Sequence, residues 1–375
     1  MCDVKKQLQK FRDICARPDL ELEKVLKHGK KAVGVVPYFC PEELVYAAGM
    51  IPFGLWGSQR LVSESKRYFP AFFCSILHTT LDMALKGELD GLRAVMIPYT
   101  CDSLKGMVSN WEQGVTQIPV IPVSYAQNRK IAAGVDYTTA CFQKVRTKLE
   151  AIAGTTITDD QIRQAIAVYN ENRKALLAFT EAAAAHPAEV SPSDRNAVLK
   201  AGYFMDRADH SRMVQALTEA LNAVEPAPWR GIRVVTTGIL ADAPELLDIL
   251  ADNGISIAAD QVVHESVGLH DLTPDGADPI RSMAERLSEL EGSSLLFDPS
   301  KKRGRQLVEL VKEAKADGVI WIMTKFCDPE EFDYVPVKQM LDEADIPLLA
   351  VEMDQQMGNF AQARSAVEAF REALE

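Results

Sequence analysis

Short apolar runs alternate with helical patterns in two separate regions of the chain. In the first region, runs rich in β-branched residues predict strands at 32–37, 51–56, 92–97 and 118–123, with helices at 41–49, 74–86 and 102–111. In the second region, the same pattern predicts strands at 232–237, 255–259, 318–323 and 347–352, with helices near 243–252, 279–290, 304–316, 334–344 and 360–373. Strands separated by helices of this length predict right-handed βαβ units, and therefore two parallel-sheet domains.

The part of the chain between these regions, from about residue 138 to 224, shows no strand pattern. Thr158 and Gln161 fit a capping box that precedes a helical stripe of apolar residues, Ile162, Ile166, Tyr169 and Leu176. Prolines break this helix, another follows at 209–223, and the sequence EPAPW at 225–229 is typical of a stiff linker. The predicted division is an N-terminal α/β domain at 1–137, a helical segment with linker at 138–228, and a C-terminal α/β domain at 229–375.

The composition is that of a globular protein, with 47% apolar and 25% charged residues. Because 41 Lys and Arg face 53 Asp and Glu, the net charge is −12, which argues against a nucleic-acid partner. No apolar run reaches the roughly 18 residues of a membrane span. The N-terminal sequence is charged throughout and lacks a signal-peptide core, so we expect no membrane association and a cytoplasmic location.

The cysteines are the first candidates for chemistry. The chain has an odd number of them, widely spread: Cys2, Cys15, Cys40, Cys74, Cys101, Cys141 and Cys327. In a reducing compartment this pattern favours free thiols or metal ligands over a disulfide framework. GxGxxG, P-loop, HExxH and CxxC motifs are absent from the sequence, which disfavours dinucleotide-dependent and P-loop enzymes.

A weak internal echo links the two α/β regions. In each, an apolar strand is followed by a Cys-Asp pair at the start of the next helix, Cys101-Asp102 in the first region and Cys327-Asp328 in the second. Cys74 also opens a helix. Ligands of open α/β sheets bind outside the carboxyl ends of the strands, and a helix N-terminus favours the thiolate. Three thiols in facing domains are therefore candidates for one metal centre in the interdomain cleft; the alternative is that each is a small buried apolar residue.

Three further features carry weaker hypotheses. The basic run KKRGR at 301–305 opens a helix and fits a site for a phosphate or an acidic partner, or a solvated turn. His264 and His270 flank a predicted loop and are candidates for proton exchange, although six histidines in a chain of this size require no special role. The aromatic segment 68–73 is more typical of a core or an interface than of a stacking platform.

The sequence resembles the 2-hydroxyacyl-CoA dehydratase family over essentially its whole length, and most closely the β subunits of the lactoyl-, 2-hydroxyisocaproyl- and phenyllactyl-CoA type. The resemblance begins with CPEELVYAAGMIP at 40–52 and GLWG at 54–57. It continues with YFPAFFCS at 68–75, PYTCD at 98–102, PV at 122–123, QNR at 127–129, TGILAD at 237–242, KFCDPEE at 325–331 and EMDQQ at 352–356.

This resemblance implies two Rossmann or flavodoxin-like domains with a [4Fe–4S] cluster in the cleft between them. The cluster ligands of the family fall on Cys74, Cys101 and Cys327, and one iron has no protein ligand. Cys40 is then a supporting or structural residue. A flavin is left open.

The implied role is that of the β subunit in a heterodimer. Its cluster relays one electron from a transient, ATP-hydrolysing iron–sulfur activator to the cluster of the α subunit, where the 2-hydroxyacyl-CoA substrate mainly binds. The added electron lets a ketyl radical anion expel the 2-hydroxyl group, which yields a 2-enoyl-CoA. The catalytic base and the acyl group remain unassigned, and partner contacts are expected around Trp56 and the aromatic segment at 69–73.

Two other functions compete with this one. A benzoyl-CoA-reductase-like subunit would share the fold and reduce an aromatic ring. A non-catalytic activator or scaffold would use its cysteines only as buried structural residues.

Overall fold

Two parallel sheets of four strands each organise the computed structural model, which describes residues 2–37 and 39–375, apart from the side chain of Cys2. The first sheet contains β1 (Lys31–Val35), β2 (Met50–Gly54), β3 (Leu92–Pro98) and β4 (Val120–Val123). The second contains β5 (Ile232–Gly238), β6 (Ile255–Val262), β7 (Gly318–Thr324) and β8 (Leu348–Met353). All strand pairings are parallel, which confirms the predicted α/β class.

The strand orders of the two sheets correspond, β2-β1-β3-β4 and β6-β5-β7-β8. In this order, the connections that follow two neighbouring strands lead towards opposite edges of the sheet. Ligands of such sheets bind in the crevice between those two strands. The point lies between β1 and β3 in the first sheet and between β5 and β7 in the second. The internal echo seen in the sequence is therefore a repeat of topology.

Helices connect the strands and cover the sheets. In the first half these are α1 (Cys2–Ala16), α2 (Pro18–Lys27), α3 (Glu42–Ala47), α4 (Ser75–Leu85), α5 (Asp102–Gly114) and α6 (Ala132–Ala153). In the middle they are α7 (Asp159–Ala185), α8 (Pro192–Ala201) and α9 (Arg207–Asn222). In the second half they are α10 (Pro244–Asp252), α11 (Pro279–Glu289), α12 (Lys302–Ala314), α13 (Asp328–Glu343) and α14 (Ala361–Leu374).

The helical segment has the character that its sequence predicts. Thr158 and Gln161 form the predicted capping box at the start of α7, and Ser191 with Asp194 forms a second one at the start of α8. Within the described residues, no strand occurs between 138 and 224. The apolar stripe of α7, including Leu176, is buried.

Three helices pack across the predicted division of the chain. The first, α1, which the charged N-terminal sequence did not predict, packs on α8 and α9 through Val4, Leu8 and Phe11. The second, α6, begins at Ala132, before the predicted helical segment, and packs beside β4. The third, α11, packs against α6 and the first core rather than only against its own sheet. The three-part division stays a prediction.

Within the described residues, every helix is too short or too polar to span a bilayer.

A buried histidine makes the helical segment sensitive to acid. His210 on α9 is fully buried; its Nε2 lies 2.9 Å from the carbonyl oxygen of Val198 and its Nδ1 lies 2.9 Å from the amide nitrogen of Asn172. The first contact requires a donor on His210 and the second an acceptor, so only the neutral ring fits. Burial, with a smaller contribution from the charge of Arg207, lowers the pKa of His210 to about 3.

We predict that acid destabilises the fold partly through His210. A histidine whose pKa is lower in the folded state than in the unfolded state stabilises the fold above the unfolded pKa of 6.5. The free energy of unfolding should then fall, by up to about 1.4 kcal/mol per pH unit, as the pH drops from there towards 3. His210→Gln should reduce this slope in urea denaturation, whereas the exposed His28→Gln should not. Equal slopes for both variants and the wild type would contradict the assignment.

Candidate functional site

Three cysteines occupy equivalent positions at the starts of three helices. Cys74 is the N-cap residue of α4, Cys101 that of α5, and Cys327 that of α13. Cys101 follows Pro98, the last residue of β3, by three positions, as Cys327 follows Thr324 at the end of β7. The thiols therefore lie at the carboxyl edges of the two sheets, as the sequence predicts.

A polar network fixes the start of α4 behind Cys74. One turn along the helix, His78 binds the carbonyl oxygen of Pro70 at 3.1 Å and the hydroxyl of Ser65 at 3.2 Å. The buried carboxylate of Asp82 accepts hydrogen bonds from the backbone N–H groups of residues 63–65 at 2.7–3.2 Å. The segment that leads into Cys74 is thus held by the helix that Cys74 caps.

Cys101 acts as a capping side chain. Its sulfur accepts a hydrogen bond from the backbone N–H of Leu104 at 3.4 Å. The neighbouring Asp102 is almost fully exposed, with 97% of its side chain accessible, and pairs with Lys105 at 2.9 Å. The thiol therefore points into the protein while the acidic residue of the Cys-Asp pair faces solvent.

Cys327 sits on a strained turn supported by a buried ion pair. The preceding residue, Phe326, has a φ of 61°, which non-glycine residues seldom adopt. In the first turn of α13, the fully buried Glu330 binds Arg303 at 2.7 Å and the indole N–H of Trp321 at 2.7 Å. This network anchors α13 to β7 and so fixes the position of Cys327.

The three thiols converge. Cys74, Cys101 and Cys327 all pack against one apolar cluster, which includes Phe69 from the first half and Ile239 from the second. Their charges also act on one another, because the Cys101 thiolate raises the pKa of Cys74, and both raise the pKa of Cys327. The structure thus brings together the three residues that the sequence selects.

Burial determines the protonation of these thiols without a bound metal. Desolvation raises the pKa of Cys74 to about 12 and raises those of Cys101 and Cys327 as well. Backbone N–H groups at the helix starts lower all three values, but less than burial raises them. The expectation that helix N-termini give thiolates was therefore wrong in net direction, and metal binding must displace protons.

The three thiols are soft metal ligands. Cysteine thiolates suit zinc and iron–sulfur clusters better than they suit hard cations such as Mg²⁺ or Ca²⁺. Cys74, Cys101 and Cys327 are each partly exposed and lie against the apolar cluster. Within the described residues, no three His, Cys, Asp or Glu side chains form a group that could hold one metal ion.

The other described cysteines have structural environments. Cys15 donates to the carbonyl oxygen of Ala197 at 3.3 Å, and Cys141 is buried in α6. Cys40 donates to the carbonyl oxygen of Val36 at 3.3 Å, and burial raises its pKa. None of the three converging thiols is among the groups that shift the pKa of Cys40, which supports its structural interpretation. The side chain of Cys2 lies outside the described part of the structure.

Gln355 connects the two halves of the chain next to Cys74. Its side chain donates to the carbonyl oxygen of Trp56 at 2.8 Å and accepts from the hydroxyl of Thr79 at 2.7 Å. Its backbone N–H donates to the hydroxyl of Ser75 at 2.9 Å, and its carbonyl oxygen accepts from the N–H of Arg60 at 2.9 Å. A buried residue that follows β8 thus binds the helix that Cys74 caps.

Gly57 makes room for this contact. It has a φ of 75°, and a Cβ atom there would lie 2.2 Å from both the side-chain oxygen of Gln355 and the hydroxyl of Thr79. Sequence reasoning missed the role of Gln355, although a polar pair at the carboxyl end of a predicted strand was a usable signal.

The basic run at 301–305 is partly buried and partly solvated. Arg303 is buried and pairs with Glu330, while Lys301 is exposed and binds Asp333 at 2.9 Å. Lys302 is also exposed and binds Glu291 at 3.2 Å, and the exposed Arg305 donates to the carbonyl oxygen of Ser300 at 2.6 Å. The solvated turn therefore describes most of the run, while Arg303 and Lys301 bind carboxylates of α13.

The two candidate histidines differ from each other. His264 is buried against the rings of Trp56 and Tyr203, and burial lowers its pKa to about 3, so it is neutral. His270 is exposed. His264 therefore packs on two members of the apolar cluster that the three thiols also contact, Trp56 and Tyr203.

The expected partner surface needs a correction. Trp56 is 2% exposed and Phe69 is 4% exposed, so both belong to the core. Phe69 packs on Phe73 and on the edge of His78, which confirms a core role for part of the aromatic segment. Phe72, in contrast, is 66% exposed, as are Phe332 at 81% and Val335 at 59% on α13.

Comparison with known proteins gives a consistent result. The family model described as "2-hydroxyglutaryl-CoA dehydratase, D-component" matches residues 37–374. The chain is 45% identical to the (R)-phenyllactyl-CoA dehydratase beta subunit of Clostridium sporogenes over the whole of both chains. It is 38% identical to the (R)-2-hydroxyglutaryl-CoA dehydratase beta subunit of Acidaminococcus fermentans, over 98% of both. It is 24% identical to one of the subunits of benzoyl-CoA reductase from Thauera aromatica, over 92% of this chain and 91% of that one.

We predict that Gln355→Ala destabilises the protein by about 2–4 kcal/mol, because it removes the buried hydrogen bonds of this side chain to the carbonyl oxygen of Trp56 and the hydroxyl of Thr79. Urea denaturation of the full chain measures this. Gln356→Ala is the matched control, since the side chain of this adjacent residue lacks these contacts, and it should change stability by less than about 0.5 kcal/mol. Equal effects of the two variants would show that Gln355 does not connect the halves.

Proposed function

The chain belongs to the 2-hydroxyglutaryl-CoA dehydratase D-component family, and on this basis we propose that it is the β subunit of a 2-hydroxyacyl-CoA dehydratase that holds a [4Fe–4S] cluster. The observation that carries the proposal is its full-length similarity to dehydratase beta subunits together with three converging thiols at equivalent helix starts. Cys74, Cys101 and Cys327 are the proposed iron ligands.

Each ligand has a defined task in this proposal. Cys74, Cys101 and Cys327 lose their protons and each binds one iron, so that one iron keeps no ligand from this chain. Backbone N–H groups at the starts of α4, α5 and α13 lie beside the thiolates and stabilise their negative charge. The bound cluster supplies one-electron transfer at low potential.

The surrounding residues keep this centre rigid and dry. The apolar cluster around Phe69 and Ile239 excludes water from the inner side of the site. Gln355 holds α4, and the Glu330–Arg303 pair holds α13, so ligands from the two halves stay in register. A fixed environment limits the reorganisation that accompanies a change of one charge.

The β subunit needs two partners in this proposal. An α subunit receives the electron and mainly binds the 2-hydroxyacyl-CoA, and an ATP-hydrolysing iron–sulfur activator delivers the electron in a transient complex. The reaction as a whole removes water and gives a 2-enoyl-CoA. The names of the similar beta subunits support a two-subunit enzyme.

The alternative of a benzoyl-CoA-reductase-like subunit is less well supported. The 24% identity to the benzoyl-CoA reductase protein is far below the 45% identity to a dehydratase beta subunit. A structural scaffold would not require three N-cap thiols to meet in one apolar cluster.

We predict that serine in place of Cys74, Cys101 or Cys327 removes most of the iron and the absorbance near 400 nm, because each thiolate binds a separate iron. The variants are purified anaerobically with the α subunit, and iron, sulfide and dehydration of a panel of 2-hydroxyacyl-CoA thioesters are measured with activator, ATP and reductant. The wild-type pair should dehydrate at least one thioester, and each variant should lose this activity.

The matched controls are Cys15→Ser and Cys40→Ser, whose thiols donate to the carbonyl oxygens of Ala197 and Val36. Both should retain iron. Full iron in a Cys101→Ser protein would refute the ligand assignment, and a colourless wild-type protein without iron would favour the scaffold. Turnover by the chain without the α subunit would refute the division of labour.

The surface beside the cluster ligands is the proposed docking face for the α subunit. Phe72 lies two residues before Cys74, and Phe332 and Val335 lie on α13, which begins after Cys327. The latter two are three residues apart and so share one face of the helix. Large exposed apolar side chains are typical of protein interfaces, and electron transfer requires the partner to be near the cluster.

We predict that Phe72→Lys and Phe332→Lys weaken binding of the α subunit at least tenfold, because each places a charge in the apolar part of the interface. Analytical ultracentrifugation of the anaerobic heterodimer measures the dissociation. Tyr137→Lys on α6 is the control, since it is also half exposed but lies on another helix. Unchanged association of both phenylalanine variants would place the interface elsewhere.

A further inference from the structure

A polar cavity lies at a second position where the sheets meet the helical segment. It has a volume of about 110 Å³ and opens beside the loop that follows β1 and the segment that follows β6. Side chains of α3, α7 and α11 complete its wall. Because ligands of parallel sheets bind outside the carboxyl ends of the strands, the position itself is suited to a ligand. None of the three proposed iron ligands lines it.

Three guanidinium groups and three carboxylates line this cavity, and one of these carboxylates, Glu265, pairs with Arg195, which does not line it. Arg173 pairs with Glu43 at 2.5 Å, and Arg207 pairs with Glu42 at 2.7 Å. Within each of these pairs, the positive and the negative charge neutralise each other. A third cation, Arg286, also lines the cavity and is not part of either pair.

Arg286 bonds to backbone groups. Its Nε donates to the carbonyl oxygen of Asp271 at 2.6 Å, and its Nη2 donates to the carbonyl oxygen of Gly268. Among the described residues, no carboxylate lies within ion-pair distance of it. Burial and the charge of Arg173 lower its pKa to about 9, although Glu43 and Asp271 act in the opposite direction. Among the described residues, Arg286 is therefore the guanidinium group of this cavity that has no carboxylate in ion-pair contact.

His264 supplies a second and independent observation. It is 1% exposed, it lines the same cavity, and neither of its ring nitrogens has a hydrogen-bond partner among the described residues. Its ring is neutral, so it offers one N–H donor and one acceptor. Buried polar groups are nearly always satisfied by protein, water or ligand, so this ring points to an occupant of the cavity.

We propose that the cavity binds a small carboxylate anion, held by the charge of Arg286 and by the N–H of His264. A carboxylate offers an acceptor for the N–H of His264 and a negative charge for Arg286, and an Arg–carboxylate contact is among the strongest hydrogen-bonded pairs in proteins. The volume admits an anion of a few non-hydrogen atoms. This site is separate from the proposed function, since it involves neither the thiols nor electron transfer.

Carbon-13 NMR of labelled acetate tests the proposal on the anaerobically purified full-length chain. Acetate should bind in a saturable manner, and acetamide, which has the same shape without the charge, should bind at least tenfold more weakly. Sodium chloride at matched ionic strength should not displace the acetate. Equal binding of acetate and acetamide, or no saturable binding of either, would overturn the proposal without the use of any variant.

Two variants locate the site. Arg286→Met should weaken acetate binding at least tenfold, whereas Arg281→Met, on the exposed side of the same helix, should leave it unchanged. His264→Phe should also weaken binding, which keeps the test valid if Arg286→Met fails to fold. An iron-depleted Cys101→Ser chain should bind acetate as the wild type does. Loss of binding there would place the acetate on iron and refute the cavity, whatever the outcome for the dehydratase function.

Discussion

Four hydrogen bonds of one residue, Gln355, connect the second sheet to the first half of the chain beside Cys74. The two sheets are separate hydrogen-bonded units, and each places its cysteines only relative to its own strands. Gln355 follows the edge strand β8 of the second sheet, yet its partners Trp56, Ser75 and Thr79 all belong to the first half. Ser75 directly follows Cys74. The geometry of a shared thiol site therefore depends on this contact and on the apolar cluster beneath it.

The sequence predicted most of the sheet structure, because fully buried parallel strands appear as short apolar runs that any window can detect. Its errors came from tertiary packing. The amphipathic α1 has a mainly charged sequence, and its apolar side becomes visible only when α8 and α9 cover it. Likewise, nothing in the local sequence of α11 shows that it packs beside α6, more than 100 residues earlier in the chain.

The candidate site was predictable to the extent that it follows from topology. Cys101 and Cys327 each follow a strand and open a helix, and parallel sheets bring such positions to one edge. The supporting contacts could not be predicted, since Glu330 meets Arg303, and Gln355 meets Trp56, only across large sequence separations. Protonation was also misjudged, because helix N-termini are visible in a sequence while desolvation by the finished core is not.

The repeated strand order accounts for the number of cysteines in the site. When the two sheets are matched strand by strand, β3 corresponds to β7. The helix before β3, α4, then corresponds to α12, the helix before β7. Cys101 then has Cys327 as its counterpart, whereas the counterpart of Cys74, the N-cap of α12, is Lys301. That lysine is paired with Asp333. The repeated topology thus supplies four corresponding helix starts, of which three carry a thiol and the fourth carries a cation.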